Sequence, residues 1–270
     1  MKNRLFVGVI LVIVLLMVSF NAFAESWYCP QCGRKNDNQF CPVDGTNNPL
    51  NSTSGSGAYT PNTPNVYAGQ HILFGQYEQD NNYNNGREPI EWRVLTVTNK
   101  EALLISEYGL DCVLYHQYND SVTWQDCTLR TWLNNSFYTS AFNSNEQTAI
   151  LCNRISNDIS QNASYDGKVL DGGYDTWDRV FLLSFAETQR YFSGDSERQC
   201  FATAHANANG AFKKNGYTYW YTRSPGYLLS FVTIINSEGK NHGSNTRVNN
   251  NGKNNGVVRP AIWVDVTRLP

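Results

Sequence analysis

The 270 residues carry 21 Lys and Arg against 23 Asp and Glu, a formal net charge of −2. Charges of both signs are interspersed along the chain, which excludes the basic stripe that a nucleic-acid backbone demands. With 41% apolar residues, the chain can bury one sizeable core and carry an appendage.

The first residues have the pattern of a targeting segment. Lys2 and Arg4 precede an apolar run, Leu5–Phe20, and Ala22-Phe23-Ala24 supplies an A-x-A cleavage site. A signal peptide over residues 1–24 is predicted, with a secreted or cell-envelope mature chain. The alternative is an uncleaved anchor, for which the run falls short of the ~20 apolar residues that span a bilayer. Removing Lys2 and Arg4, the only charged residues of this segment, takes the net charge from −2 to −4.

A cysteine-bearing head follows over residues 25–48. Cys29-Pro30-Gln31-Cys32-Gly33 places two thiolates at the spacing of half a zinc site, with a Gly that lets the turn close. Cys41-Pro42-Val43-Asp44-Gly45 repeats the frame with Asp44 where a fourth Cys would stand. The segment resembles a short zinc ribbon with one carboxylate ligand, so Cys29, Cys32, Cys41 and Asp44 are the expected ligands of a structural zinc. A module this small has almost no core and needs such a staple. Two alternatives stay open: a ribbon that has lost its metal, and a disulfide among Cys29, Cys32 and Cys41 in an oxidising compartment. Residues 49–66 are Ser, Gly, Pro, Thr and Asn with few apolar side chains, and read as a flexible linker.

The main domain is expected over residues 67–270. Residues 71–77, 90–98 and 102–106 read as strands, the last two joined by a short connection at Asn99-Lys100-Glu101. Leu129, Trp132 and Leu133 then mark one face of a short helix, which Asn134-Asn135 interrupts. Phe137, Ala141 and Phe142 begin a second apolar turn, and Ser144 with Gln147 reads as a capping box for a third helix. A helical unit this short and aromatic is marginal alone, so it must pack on the neighbouring strands. Trp132 and Leu133 are expected to be buried against the strands of Trp92 and Leu182. Further on, residues 180–183 read as a buried strand. Ser184 and Glu187 cap a helix, and strands are expected at Trp220, 228–235 and 257–264, with a turn at 236–239. Hairpins at both ends with helices between them predict an α+β fold.

Seven ordered blocks carry a family resemblance: FGQYEQ (74–79), EPIEWRVL (88–95), ALLISEYGLD (102–111), TWQDCTLRTWLNNSFY (123–138), DRVFLLSFAE (178–187), TRSPG (222–226) and GVVRPAIWV (256–264). Together they resemble the bacterial domain-of-unknown-function family DUF 6273, across roughly Tyr67 to the C-terminus. The tail from Trp220 to Val264 is similar to the close of C-type-lectin-like and sulfatase-modifying-factor-like domains. That resemblance implies a C-type-lectin-like domain of mostly antiparallel strands and short helices, whose loops carry the function. The alternatives are an enzyme of the sulfatase-modifying type and a structural cell-envelope module; for the first, the Cys pair of the copper sites in that family has no counterpart near this C-terminus, since Cys200 is the last Cys.

His71, His116, His205 and His242 are scattered without a metal-binding spacing and read as surface or hydrogen-bonded residues. Asp166, Asp171, Asp175 and Asp178 could bind calcium but miss the register of a calcium loop, so turn-forming Asp-Gly is the better reading. Among Cys112, Cys127, Cys152 and Cys200 three disulfide pairings are open, and Cys112–Cys127 would close a loop of about 15 residues. The surface expected to bind an extracellular ligand, a glycan or a protein, is the Asn-rich stretch 241–255. Tyr221, Arg223, Asn249, Asn250 and Asn251 are its candidates, because amides and aromatic faces suit sugar hydroxyls and ring C–H groups. The opposing reading places Arg223 and its neighbours in the core and leaves the loop as plain solvent-exposed chain.

Overall fold

The computed structural model describes residues 66–241, 244–249 and 256–269, together with two short strands nearer the N-terminus. These two, β1 (Trp27–Tyr28) and β2 (Lys35–Asn36), pair antiparallel with Trp27 opposite Asn36. The expected signal segment, the zinc ligands Cys29, Cys32, Cys41 and Asp44, the linker to residue 65, His242, Asn250 and Asn251 lie outside the described residues. No helix among the described residues is long and apolar enough to cross a membrane.

Three strands open the main domain: β3 (His71–Tyr77), β4 (Glu88–Thr98) and β5 (Glu101–Ser106). Helices α1 (Thr128–Trp132), α2 (Tyr138–Ala141) and α3 (Ser144–Ala149) follow, and a wide π turn over Leu133–Phe137 joins the first two. Then come the short strands β6 (Asn153–Ile155), β7 (Ser164–Tyr165), β8 (Lys168–Val169), β9 (Thr176–Asp178) and β10 (Val180–Phe181). Helices α4 (Phe185–Tyr191), α5 (Asp195–Arg198) and α6 (Ala204–Ala208) precede β11 (Trp220–Pro225), β12 (Phe231–Ile235), β13 (Asn245–Arg247) and β14 (Ala261–Asp265).

The main sheet is antiparallel, in the order β10-β14-β5-β4-β3, so the C-terminal strand lies inside it. Every residue of β5 after Glu101 is buried, as a strand covered on both faces requires. A second sheet, β11-β12-β13, is also antiparallel, and the whole is a mixed α+β domain. The core contains Trp92, Trp124 and Trp220, each fully buried. Each indole N–H is satisfied: Trp92 donates to the Phe74 carbonyl at 2.7 Å, Trp124 to Asp178 Oδ2 at 2.9 Å, and Trp220 to the Arg198 carbonyl at 2.9 Å. That satisfaction is what lets so large a polar-tipped side chain be buried.

The helical unit packs on the β3–β4 face through its aromatic rings. Phe142 meets Phe74 at 5.3 Å and Trp92 at 6.2 Å, and Phe137 meets Tyr77 at 5.2 Å between ring centroids. Gly75 makes this approach possible. Its φ of +70° falls where β3 shifts register, and a Cβ there would stand 2.5 Å from Phe142. Leu133 is fully buried as expected, but Trp132 is only partly so. Asn134 does not break the helix. Its side chain donates to the Arg130 and Val180 carbonyls and accepts from the main-chain N–H groups of Arg179 and Val180, so the widened turn is tied to β10.

Two local expectations shift by a residue or hold. The cap of α3 is Asn143 with Glu146, one residue before the expected Ser144 and Gln147. Ser184 and Glu187 form their capping box as expected. Asp166-Gly167, both at positive φ, make the two-residue turn between β7 and β8.

Candidate functional site

A groove of about 580 Å³ opens between the segment 113–117 and the α1–π-turn unit. Its walls are Val113, Leu114 and Trp132, and its rim is Gln117, Thr128, Thr131, Asn135 and Ser136. The local sequence explains the shape. Leu129 N donates to the Tyr115 carbonyl and Gln117 N to the Thr128 hydroxyl, which pins the segment along the start of α1. The π turn then displaces Asn135 and Ser136 outward, and both are exposed. Such turns recur at functional sites because they aim side chains that a regular helix would not.

Trp132 offers this groove part of its ring while its other side packs on Phe137 at 5.4 Å. The side chains of Gln117, Thr131, Asn135 and Ser136 make no hydrogen bond to the described residues, so their donors and acceptors are open to a ligand. Asn249 meets the edge of this site: its Nδ2 donates to the Gln117 carbonyl at 2.6 Å. His116 N likewise donates to the Val248 carbonyl, so the Asn-rich segment runs against the 113–117 strip.

The other sequence candidates are placed differently. Tyr221 is 2% exposed and packs edge-on to Tyr115 at 5.8 Å. Arg223 is 3% exposed, pairs with Glu187, and donates to the carbonyls of Leu182 and Ser156. Both belong to the core: Tyr221 is enclosed among aromatic rings, and the two terminal nitrogens of Arg223 tie β11 to its neighbours. Cys112 and Cys127 do not form the disulfide. Both are buried free thiols, each pushed up to about 12 mainly by burial. Cys127 Sγ accepts the Arg130 N–H at the start of α1, while Asp111 adds to the upward shift of Cys112.

The four aspartates do not converge. Asp178 is 1% exposed and accepts from Trp124, from Thr176 Oγ1 at 2.7 Å and from Arg130 Nε at 2.7 Å. Asp175 pairs with Arg154, and Asp171 accepts from the Gly173 N–H as a turn residue does. Among the described residues the carboxylates that do converge are Glu78, Asp80 and Glu88, with ligand atoms within 4.8 Å of one another. They are largely committed to folding their own loop: Asp80 Oδ1 accepts from Asn82 N, and Glu88 Oε2 from Gln79 N and Asp80 N.

Three histidines are hydrogen-bonded, as expected: His71 to Glu91, His116 to Asp120 and His205 to Asp111. The last belongs to a largely buried cluster that residue spacing does not bring together. Asp111 accepts from the Tyr77 hydroxyl at 2.6 Å and Asn209 Nδ2 at 2.8 Å, and lies 3.5 Å from His205 Nε2. Burial pushes the Asp111 carboxyl up, but hydrogen bonds from His205, Tyr77 and Asn209 outweigh it and hold it below 3.8. The Asp111 hydrogen bond raises His205 above 6.5 against the opposing effect of burial, and Glu78 and Glu88 add to the rise. The one signal available was the loop 78–88, where Asn-rich turn residues frame a lone Tyr83 and Arg87.

No curated protein matches this chain, and no solved structure does. A family model does match, over residues 99–266, which is more than half of the chain. Strands β3 and β4 up to Thr98 precede that match, yet β4 pairs directly with β5, and β3 with β4, in one sheet. The chain belongs to the family described as Domain of unknown function (DUF6273).

Proposed function

We propose that this protein is an exported ligand-binding module, and that the groove beside Trp132 takes a polyhydroxylated ligand of the carbohydrate class. One observation carries the reading. An aromatic face stands among four uncommitted amide and hydroxyl side chains, Gln117, Thr131, Asn135 and Ser136, in a groove of about 580 Å³. A sugar presents an apolar C–H face and a ring of hydroxyls, and needs this combination. The volume is in the range of small-ligand sites. The Asn-rich stretch contributes at the edge through Asn249, which holds the Gln117 main chain.

On this reading the domain is of the C-type-lectin-like kind, with the inserted C-terminal strand β14 and the separate β11–β13 sheet in keeping with it. The signal segment exports the chain, and the head is a structural zinc module attached by the linker. The test is a glycan array followed by calorimetry on the best ligand. Trp132→Ala and Asn135→Ala should each weaken binding about tenfold or more with the fold intact. Binding that survives both changes would place the site elsewhere.

A further inference from the structure

The connection from β3 to β4 is shaped by its own carboxylates and amides. Asp80 Oδ2 accepts from Asn85 Nδ2 at 2.6 Å, Glu78 Oε1 accepts from Asn82 N at 2.9 Å, and Asn81 and Gly86 take positive φ. The folded loop sets Tyr83 and Arg87 beside α6. A pocket of about 380 Å³ results, lined by Tyr77, Glu78, Tyr83, Arg87, Ser140 and His205. It shares no residue with the groove beside Trp132.

Two full charges of opposite sign line this pocket without neutralising each other. Arg87 is exposed, donates to the Ser140 carbonyl, and forms no ion pair among the described residues. Glu78 is 7% exposed and likewise forms none; one oxygen accepts from Asn82 N, and the other accepts no hydrogen bond among the described residues. The Tyr83 hydroxyl lies 3.2 Å from His205 Nδ1, and His205 is backed in turn by Asp111.

These charges select a ligand by exclusion. A lone anion drawn to Arg87 would also face Glu78. A lone cation would be drawn to Glu78 with Asp80 and Glu88 behind it, but would leave Arg87 in the same pocket without a counter-charge. A neutral apolar ligand would strip water from both charges and return nothing to them, and a neutral polar one would return hydrogen bonds without the charge that makes them strong. A molecule carrying both charges satisfies both walls. We propose that this pocket binds a small zwitterion of the amino-acid type, its carboxylate on Arg87 and the Tyr83 hydroxyl and its ammonium on Glu78. Arg suits the carboxylate because its planar fork can meet both oxygens. The proposal does not depend on the carbohydrate reading of the groove.

Calorimetric titration of the purified protein tests it, at about pH 7 with EDTA present so that no cation on the Glu78–Asp80–Glu88 trio contributes. The probes are glycine, both enantiomers of alanine and the larger L-amino acids, with acetate and methylammonium as carriers of one charge each. At least one amino acid should bind saturably, and acetate and methylammonium about tenfold more weakly or not at all. Arg87→Gln and Glu78→Gln should each weaken the amino acid about tenfold or more. Arg87 is exposed, so its variant should keep the parent's thermal midpoint and decides the matter even if Glu78→Gln unfolds. The proposal is overturned if no amino acid binds up to about 10 mM. It is equally overturned if a singly charged probe binds as tightly, or if a folded Arg87→Gln binds unchanged.

Discussion

Trp124 and Asp178 are joined by a buried hydrogen bond, indole Nε1 to carboxylate Oδ2 at 2.9 Å, with both residues at 1% exposure or less. The same carboxylate accepts from Thr176 and Arg130, so one residue fastens β9 to the start of the helical unit. Asp178→Ala would leave the indole N–H and Arg130 Nε without their acceptor, the other two guanidinium nitrogens keeping the Gln125 and Trp177 carbonyls. Removing one partner of a buried charged network costs about 3 kcal/mol or more, discounted somewhat here because Arg130 is partly exposed. Urea unfolding should show that loss, and calcium should leave the parent's midpoint unmoved. A loss below about 0.5 kcal/mol would show that the network is not holding the unit.

Adjacent residues of the helical unit should separate stability from binding. Leu133 is fully buried, and Leu133→Ala should cost about 2–5 kcal/mol. Trp132 is only partly buried and lines the groove, so Trp132→Ala should cost less stability and more affinity. Comparing the two variants by denaturant midpoint and by ligand titration checks the division. An equal stability loss in both would return Trp132 to the core.

The Asp111–His205 pair makes a pH signature. His205 is raised above 6.5, so its stabilising effect is complete below that value and is lost as pH rises through the raised one. Asp111 is held below 3.8, so its effect is complete above that value and is lost as pH falls through the lowered one. Both contributions are fully present between about pH 4 and 6.5. Asp111, Glu78, Glu88, Tyr77, Tyr83 and Arg87 are the ionisable groups around or near the imidazole, and only the carboxylates favour its charge. His205→Gln should therefore flatten the fall in stability on going from about pH 6.5 to 8.5. An unchanged slope would mean that His205 titrates alike folded and unfolded.

The head gives an independent test. The repeated C-P-x-C/D-G frame predicts one zinc on Cys29, Cys32, Cys41 and Asp44. Metal analysis of the reduced protein should find about one equivalent, and Asp44→Ala should weaken retention by leaving three ligands. A metal-free head that resists proteolysis as well as the loaded one would refute the assignment.

What could be read from the sequence follows the range of the forces involved. Strands β3 to β5, the helical unit and the Ser184–Glu187 cap are written in near-neighbour patterns, and each appears in place. The π turn was not legible, because Asn134 looks like a helix breaker until Val180 arrives from 46 residues away to occupy its amide. The burial of Tyr221 and Arg223 was equally hidden. An aromatic and an Arg on one strand suit a binding site and a core alike, and only distant partners decide: Tyr115 for Tyr221, and Glu187, Leu182 and Ser156 for Arg223. The groove and the His205 pocket are assembled from segments far apart in the chain, which local periodicity does not report.

Asn249 supplies the last prediction, and it corrects the simplest view of the Asn-rich segment. Exposed polar side chains can usually be truncated within about 0.5 kcal/mol, and a run of Asn invites that expectation. Asn249, however, is 7% exposed and donates to the Gln117 carbonyl at 2.6 Å. Asn249→Ala would leave that carbonyl short of a partner and loosen the strip that carries Gln117, Val113 and Leu114, all of which line the groove. The single change should cost about 1–3 kcal/mol and weaken ligand binding at the Trp132 groove without touching the ligand itself. Asn249→Asp, which keeps the shape but sets a carboxylate against a carbonyl oxygen, should be at least as harmful. Thermal midpoints of both variants alongside calorimetry check this. If Asn249→Ala is neutral in both measurements, the Asn-rich segment does not brace the groove, and the link between the two regions fails.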